Sequence, residues 1–335
     1  MLTKIQSDLD SISGFDPEMW NLLRNKKIFA TGCTGFIGTW IIYSFLNANK
    51  KYDLGAELHC LTRNKKKNQE KFPGVQFIEG DIETFDFPSG NFDFVIHGAT
   101  EVASYQQNSD HSSLLDVSYV GTKRIIQFAK KAGTKKVLFL SSGAAYGTQP
   151  LELKYLDEDF TGAPDVTRPK STYGEAKRVG ELLLFNEAIP TTSARIFATC
   201  GPFLPQESTF AFSNFLDSVI ANKAIKINSN GRTTRSYLYI GDLTLWLWIL
   251  LLKGRDKEIY NVGSEDEISV AELAHMIKKT LTSNVEVEVL GKELEFNRFI
   301  PENKKIRSEF KINHLVSLET GIKKSYEFLK DKNGL

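Results

Sequence analysis

The sequence predicts an α/β protein, a doubly wound parallel sheet with a smaller C-terminal lobe. Three observations predict it. Strand-like runs alternate with helical runs from Lys26 to Phe197, the strands read as continuous apolar stretches, and a glycine turn joins the first strand to the first long helix. Continuous apolar strands are those covered on both faces, and strand–helix alternation is the pattern of a parallel sheet wrapped by helices. At 335 residues the chain is long for one compact domain, which fits one large lobe with a second added to it.

Residues 1–25 read as a helical preface, with Asp16 as the cap and Pro17 in the first turn of a short helix that carries Trp20. Lys26–Thr31 reads as a strand and Phe36–Asn49 as a helix. Strands follow at Glu57–Thr62, Val75–Ile78 and Phe92–His97, then a helix at Leu114–Ala132 and a strand at Lys136–Ser141. A helix at Tyr173–Glu187 and a strand at Thr192–Phe197 complete the series. After Gly201-Pro202 the elements shorten, with a turn at Asn228–Arg232 and a late helix at Ala271–Leu281.

Composition excludes several classes. Lys plus Arg is 42 and Asp plus Glu 41, so no global field favours nucleic acid or an anionic membrane. The N-terminus lacks the apolar core of a secretory signal. The longest apolar run, Leu243–Leu252, contains Thr244 and is about half a membrane span, which predicts a buried helix. Cys33, Cys60 and Cys200 make neither a disulfide framework nor a zinc pattern, so no metal site is expected. The reading is a cytoplasmic protein with small-molecule partners.

Gly32, Gly35 and Gly38 are spaced G-x-x-G-x-x-G between a strand and a helix. That order provides a positive-φ turn, close backbone approach to a pyrophosphate, and phosphates at the positive end of a helix dipole. Thr34, Phe36 and Ile37 belong to the same turn. The second strand ends Thr62-Arg63-Asn64, followed by three lysines, with no carboxylate to accept from a ribose hydroxyl. A guanidinium there suits a 2′-phosphate, so NADP(H) is expected over NAD(H), with a solvated basic loop as the competing account. Asp81 is placed either to accept from an adenine amino group or to form a turn.

Tyr-x-x-x-Lys occurs three times, as Tyr119/Lys123, Tyr173/Lys177 and Tyr326/Lys330. Positions i and i+4 share a helix face, so spacing alone selects none of them. Tyr119 sits in an apolar stripe and reads as packing, and Tyr326 lies near the C-terminus. Tyr173 follows Pro169 and Ser171 at a helix start and can converge with the Ser141-Ser142 pair at the sheet's carboxyl edge. A nearby ammonium lowers a phenol's pKa and makes it a usable general acid or base, and a hydroxyl beside it holds a carbonyl oxygen.

With these motifs the chain resembles the extended short-chain dehydrogenase/reductase family of nucleotide-sugar epimerases, dehydratases and ketoreductases. The resemblance runs from about Lys26 to Lys330. It rests on Thr31–Gly38, Gly80-Asp81-Ile82, His97–Thr100, Leu140–Gly147, Tyr173–Lys177, Gly201-Pro202, Arg235–Asp242 and Tyr260–Ser264. It implies a Rossmann-type domain over residues 1–197, preface included, and a substrate lobe over residues 198–335, with about 232–262 returning to the first. It implies Ser142, Tyr173 and Lys177 as the catalytic set and selects Ser142 over Ser141. The implied cofactor set comprises the glycine turn, Arg63, Asn64, Asp81, Ile82, Gly98, Ala99, Thr100, Ile196 and the Tyr–Lys pair. Ser142, Gly143, Asn214, Arg235 and Arg298 are the implied substrate contacts, the arginines gripping a pyrophosphate.

Departures guide the choice of reaction. Family 4,6-dehydratases carry an Asp-Glu pair where this chain has Gly143 and Ala144. Ala198 stands where an Asn is usual, and Ser118 where a helix Asn often supports the lysine. The expectation is an NADP(H)-dependent reductase of a nucleotide-linked 4-keto-6-deoxy sugar. A nucleotide-sugar epimerase with tightly bound NAD is the alternative, with a 4,6-dehydratase behind it. A non-enzymatic NADP-responsive binding protein is a third reading, opposed by the Tyr–Lys pair. The resemblance also implies a homodimer through the helices at Leu114–Ala132 and Tyr173–Glu187.

Overall fold

A computed structural model describes residues 2–100, 111–168, 171–206, 210–292, 296–312 and 315–333. Its central sheet has seven strands: β1 (Lys27–Thr31), β2 (Glu57–Thr62), β3 (Gln76–Glu79), β4 (Phe94–His97), β5 (Lys136–Ser142), β6 (Thr191–Ile196) and β11 (Glu258–Val262). The order is β3-β2-β1-β4-β5-β6-β11, and every neighbouring pair is parallel. This is the doubly wound α/β arrangement expected from the alternation. The chain leaves β1 for β2 on one side and later returns to β4 on the other, so a crevice opens at the carboxyl ends of β1 and β4.

Strands β1, β4 and β5 bury both faces, as their apolar text requires, whereas the edge strand β3 buries Phe77 and exposes Gln76 and Glu79. On β1, Ile28 and Ala30 face one core shared with α3 (Phe36–Tyr52), while Phe29 faces a second shared with α5 (His111–Lys131). The second core is aromatic, with Phe29 4.4 Å from Phe128 and 5.4 Å from Phe85, centroid to centroid.

The apolar run is α8 (Ile240–Lys253), buried nearly all round, as a helix without a polar face must be. The preface covers it. α1 (Gln6–Gly14) and α2 (Pro17–Asn21) close over α3 and α8, with Trp20 5.3 Å from Trp248 and the Trp248 indole N–H donating to Ser44 Oγ at 2.8 Å. Asp16 caps α2 by accepting from Met19 N at 3.1 Å, as read from the sequence. No helix among the described residues is long and apolar enough to cross a membrane.

Beyond the sheet, β7 (Thr199–Cys200) pairs with β10 (Leu238–Tyr239), β9 (Thr234–Arg235) pairs with β12 (Ile268–Ser269) and β14 (Arg298–Phe299), and β8 (Ile225–Ile227) pairs with β13 (Val287–Val289). Helices α7 (Ala211–Ile220), α10 (Lys304–Phe310) and α11 (Leu318–Asn333) were not legible in the sequence. α9 (Val270–Thr280) matches the expected late helix and starts with a Ser269/Glu272 capping box.

Candidate active site

Gly32 leaves β1 at φ +75°, and a Cβ there would lie 2.6 Å from the Gly98 backbone; one on Gly38 would lie 2.3 Å from Cys33 Cα. Both are glycine because backbone passes backbone. Gly35 differs, since a Cβ on it would meet only the Gly32 oxygen at 3.6 Å. The protein does not fill that place, and α3 begins there with no side chain capping it. Free first-turn N–H groups behind an open glycine fit a pyrophosphate. Thr34 is exposed, and Phe36 and Ile37 are half-buried against the core.

Opposite the turn, β4 ends at His97, which is sealed in a threonine bracket. Thr31 Oγ1 accepts from Gly98 N at 3.2 Å and Ala99 N at 3.1 Å, and contacts His97 Nδ1 at 2.9 Å. With its lone pairs taken, the Thr31 hydroxyl donates to Nδ1. The Nε2–H therefore donates to Thr122 Oγ1 at 3.1 Å. Burial, with the Lys177 charge nearby, drives the imidazole down to about 3, so it is neutral. Its role is to fix the 97–100 loop.

α6 (Thr172–Phe185) brings Tyr173 and Lys177 to the end of β5 because its packing face is small. A Cβ on Gly174 would lie 2.4 Å from Ala144 O, and one on Gly180 would lie 2.4 Å from the Phe139 ring. Tyr173 stands beside Ser142, whose hydroxyl favours the phenolate. Ser142 Oγ also accepts from Ala144 N at 3.2 Å, so the serine orders its own turn as well. Lys177 is 4% exposed and donates to Thr100 Oγ1 at 2.6 Å and Leu140 O at 2.8 Å. The Tyr173 ring centroid lies 5.8 Å from Lys177 Nζ. Burial pushes the phenol up, opposed by the Ser142 hydroxyl, so desolvation outweighs the lowering by lysine that the spacing suggested. Burial also pushes Lys177 down to about 8, against the attraction of Glu181.

The competing Tyr/Lys pairs lie elsewhere. Tyr119 is 46% exposed, with Lys123 Nζ 3.4 Å from its hydroxyl, so it is a surface residue and not the packing expected of it. Lys330 stacks over Tyr326 at 5.6 Å on the last helix. Pro169 lies outside the described residues.

The other candidates divide. Ile196 pairs across the sheet with Ser142, and the Phe197 ring covers Gly143, where a Cβ would meet it at 2.7 Å. Phe197 stacks on Phe299 at 4.8 Å, and Arg235 lies over Phe299 at 5.9 Å, so an aromatic wall connects Gly143 with Arg235. Arg298 pairs with Glu267 at 3.0 Å. Asn214 and Phe215 line a separate cleft of about 580 Å³ with Lys226, Asn228 and Glu288, to which neither Ser142 nor Tyr173 contributes. Asn64 caps α4 (Lys65–Lys71) through Lys67 N, and Arg63 beside it is exposed. Asp81 accepts from Glu83 N at 3.0 Å, the turn-forming role, and Ile82 is buried against Gly121. Glu79 accepts from Lys65 N at 3.4 Å, so a carboxylate from β3 does approach the end of β2.

One buried feature escaped the sequence. Arg195 holds Glu181 bidentately at 2.7 and 3.0 Å, Ser193 donates to the same carboxylate at 2.9 Å, and the guanidinium lies 4.2 Å over the Tyr146 ring. Glu181 is four residues beyond Lys177, so its helix face was legible. Its partner, from β6, was not. Among the described residues no group of three or more side chains could hold a metal ion.

Comparison with known proteins agrees with this geometry. Residues 28–263 match the model of the NAD dependent epimerase/dehydratase family. A putative UDP-glucose 4-epimerase of Methanocaldococcus jannaschii is 30% identical over 318 residues, 91% of this chain and 99% of that one. UDP-glucuronic acid decarboxylase 6 of Arabidopsis thaliana is 27% identical over 288 residues, 82% of each chain. Among solved structures, UDP-glucuronic acid 4-epimerase from Bacillus cereus in complex with UDP-glucuronic acid and NAD superposes with a TM-score of 0.76 at 22% identity, covering 91% of this chain and 99% of that one. The chain belongs to the NAD dependent epimerase/dehydratase family.

Proposed function

We propose that this protein is an oxidoreductase of nucleotide-linked sugars that reduces a 4-keto group, with NADP(H) as the dinucleotide. The observation that carries the reading is Tyr173 with Lys177 Nζ 5.8 Å from its ring and Ser142 at the end of β5, followed by Gly143 and Ala144 where an eliminating enzyme needs acids. Such a site moves a proton at a carbonyl oxygen but offers no carboxyl after Ser142 to expel water. The glycine turn, the 97–100 loop and Lys177 would hold the dinucleotide, which supplies hydride when bound. Tyr173 donates the proton to the sugar oxygen, Ser142 orients that oxygen, and Lys177 supplies positive charge beside the phenol. Relatives named for UDP-sugar epimerisation and decarboxylation support the substrate class.

The test is reduced-nicotinamide absorbance with a nucleotide-linked 4-keto-6-deoxy sugar, comparing NADPH with NADH. Stoichiometric NADPH consumption supports the reductase. No consumption with either cofactor, alongside NAD released on denaturation, establishes the second reading, an epimerase. Glu79 beside the β2 end and the NAD in the Bacillus cereus complex favour that reading.

Cofactor choice has its own test. Arg63→Ala is expected to raise KM for NADPH by roughly 10- to 100-fold, the worth of one charge-assisted phosphate contact, and to leave KM for NADH unchanged. An equal change for both cofactors refutes the 2′-phosphate role.

We also propose that a second copy of this chain covers the outer face of α5 and α6. Leu115, Tyr119 and Val120 on α5 and Leu182 on α6 are exposed there, Leu182 at 65%. Light scattering is expected to give the mass of two chains, and Leu182→Glu the mass of one. A wild-type monomer at micromolar concentration rejects the dimer.

A further inference from the structure

We propose that Thr100 is a positioning residue for Lys177: its hydroxyl and the Leu140 carbonyl take two of the three ammonium N–H bonds and leave the third to face the reaction. The direction of the bond is fixed by what else the hydroxyl does. Thr100 Oγ1 donates its own proton to Ala99 O at 2.8 Å, so its lone pairs are what Lys177 Nζ meets at 2.6 Å. Leu140 O, on β5, accepts at 2.8 Å. An ammonium has three donors, and two rigid acceptors determine where the remaining one points.

The anchor is rigid because its own support is. Ala99 N and Gly98 N are held by Thr31 Oγ1, at the end of β1, and Thr31 in turn is bound to His97. His97 reaches across to Thr122 on α5. Thus β1, β4 and α5 together set the place of Thr100. A neutral His97 suits this task, since an imidazolium so close would repel Lys177.

The remaining groups around Lys177 do not replace Thr100. Tyr173 lies one turn back on α6 and Glu181 one turn ahead, and the Phe139 ring of β5 lies 5.4 Å from Nζ. The Glu181 oxygens are bound by Arg195 and Ser193. Ser142 engages Tyr173 and Ala144. Among the described residues Thr100 is therefore the side-chain acceptor for this buried ammonium. Valine in its place keeps the shape and removes the acceptor, which weakens the charged form of Lys177 and lowers its midpoint.

The catalytic consequence rests on the proposed function, whereas the anchoring does not, so the experiment reads both. In the full-length, ¹⁵N-lysine-labelled protein without ligand, the Lys177 Nζ resonance is identified by its loss in Lys177→Arg. In Thr100→Val its titration midpoint is expected to fall by about one pH unit, and in Thr100→Ser to stay at the wild-type value. Thr100→Ala serves as a second acceptor-free variant should valine impair folding. The alkaline limb of the hydride-transfer profile is expected to move down with the NMR midpoint, with kcat at pH 8 about fivefold lower. An unmoved NMR midpoint in the acceptor-free variants overturns the proposal, as does a moved midpoint with an unmoved rate profile in an active enzyme. A moved midpoint in a protein that transfers no hydride upholds the anchor and rejects the proposed function.

Discussion

Tyr173→Phe is expected to lower kcat for ketone reduction by about 10³-fold while leaving dinucleotide affinity within a factor of two or so. The proposed reaction needs a proton at the carbonyl oxygen as hydride arrives at the carbon, and Tyr173 is the donor placed beside Ser142. Phenylalanine preserves the ring against α6 and removes only that proton. The pH dependence separates the phenol from its lysine. Burial pushes Tyr173 up from its ordinary value, so its proton stays available through neutral and mildly alkaline pH. Burial pushes Lys177 down to about 8, so its charge is complete at pH 6 and fades above pH 8. The reductive rate is therefore expected to be flat in acid and to fall above about pH 8. The same depression makes Lys177 a cost to folding below pH 8, where the buried group must be charged. That cost shrinks as pH rises toward the ordinary lysine value, because the unfolded chain then holds the extra proton. Stopped-flow absorbance of the reduced nicotinamide from pH 6 to 10 checks both limbs. Variant activity within tenfold of wild type would remove Tyr173 from the proton step.

What was legible in the sequence was local or periodic. A parallel sheet shows itself where its central strands are apolar, as Ile28-Phe29-Ala30 is on β1, and less where a buried strand such as β6 carries Thr191, Thr192 and Ser193. The glycine turn shows itself because backbone contacts at Gly32 and Gly38 admit no other residue. Tyr173 could be chosen over Tyr119 and Tyr326 because it stands at a helix start downstream of the Ser141-Ser142 pair, where it can converge with a serine at the sheet's carboxyl edge. Tyr119 was misjudged because an apolar stripe tells that a helix has a packed face but not where that face stops. Asp81 was left between two roles, and its hydrogen bond to Glu83 N is the local one. The unread parts are pairings between distant residues. Thr100 and Lys177 are 77 positions apart, and Glu79 meets the β2 end only after β3 has paired in register with β2. No spacing rule joins such residues before the sheet order is known.

The buried Arg195–Glu181 pair ties α6 to β6 and makes the fold sensitive there. Arg195→Met is expected to destabilise the protein by about 3–5 kcal/mol, because it leaves the Glu181 carboxylate buried without its cation. Glu181 and Arg195 are only 5% and 6% exposed, so water does not compensate for the loss. The loss also frees the face of Tyr146, whose hydroxyl donates to Asn261 Oδ1 at 2.9 Å. The melting temperature should fall by roughly 10 °C. The double replacement Glu181→Met with Arg195→Met should recover most of that stability, since a well-packed apolar pair of similar volume often matches a buried ion pair. Activity need not recover with it. Glu181 ties α6 to β6 at the turn next to Lys177, and a thioether pair has no directional bond to hold that register. The double variant is therefore expected to melt near wild type but to reduce its substrate more slowly, by about tenfold, with the loss in kcat and not in KM. Thermal unfolding of the four proteins of the cycle, with kinetics on each, checks the two halves separately. A single Arg195→Met cost below 1 kcal/mol would show that the pair is not a clamp. Full activity in the double variant would show that packing alone holds Tyr173 and Lys177 against β5.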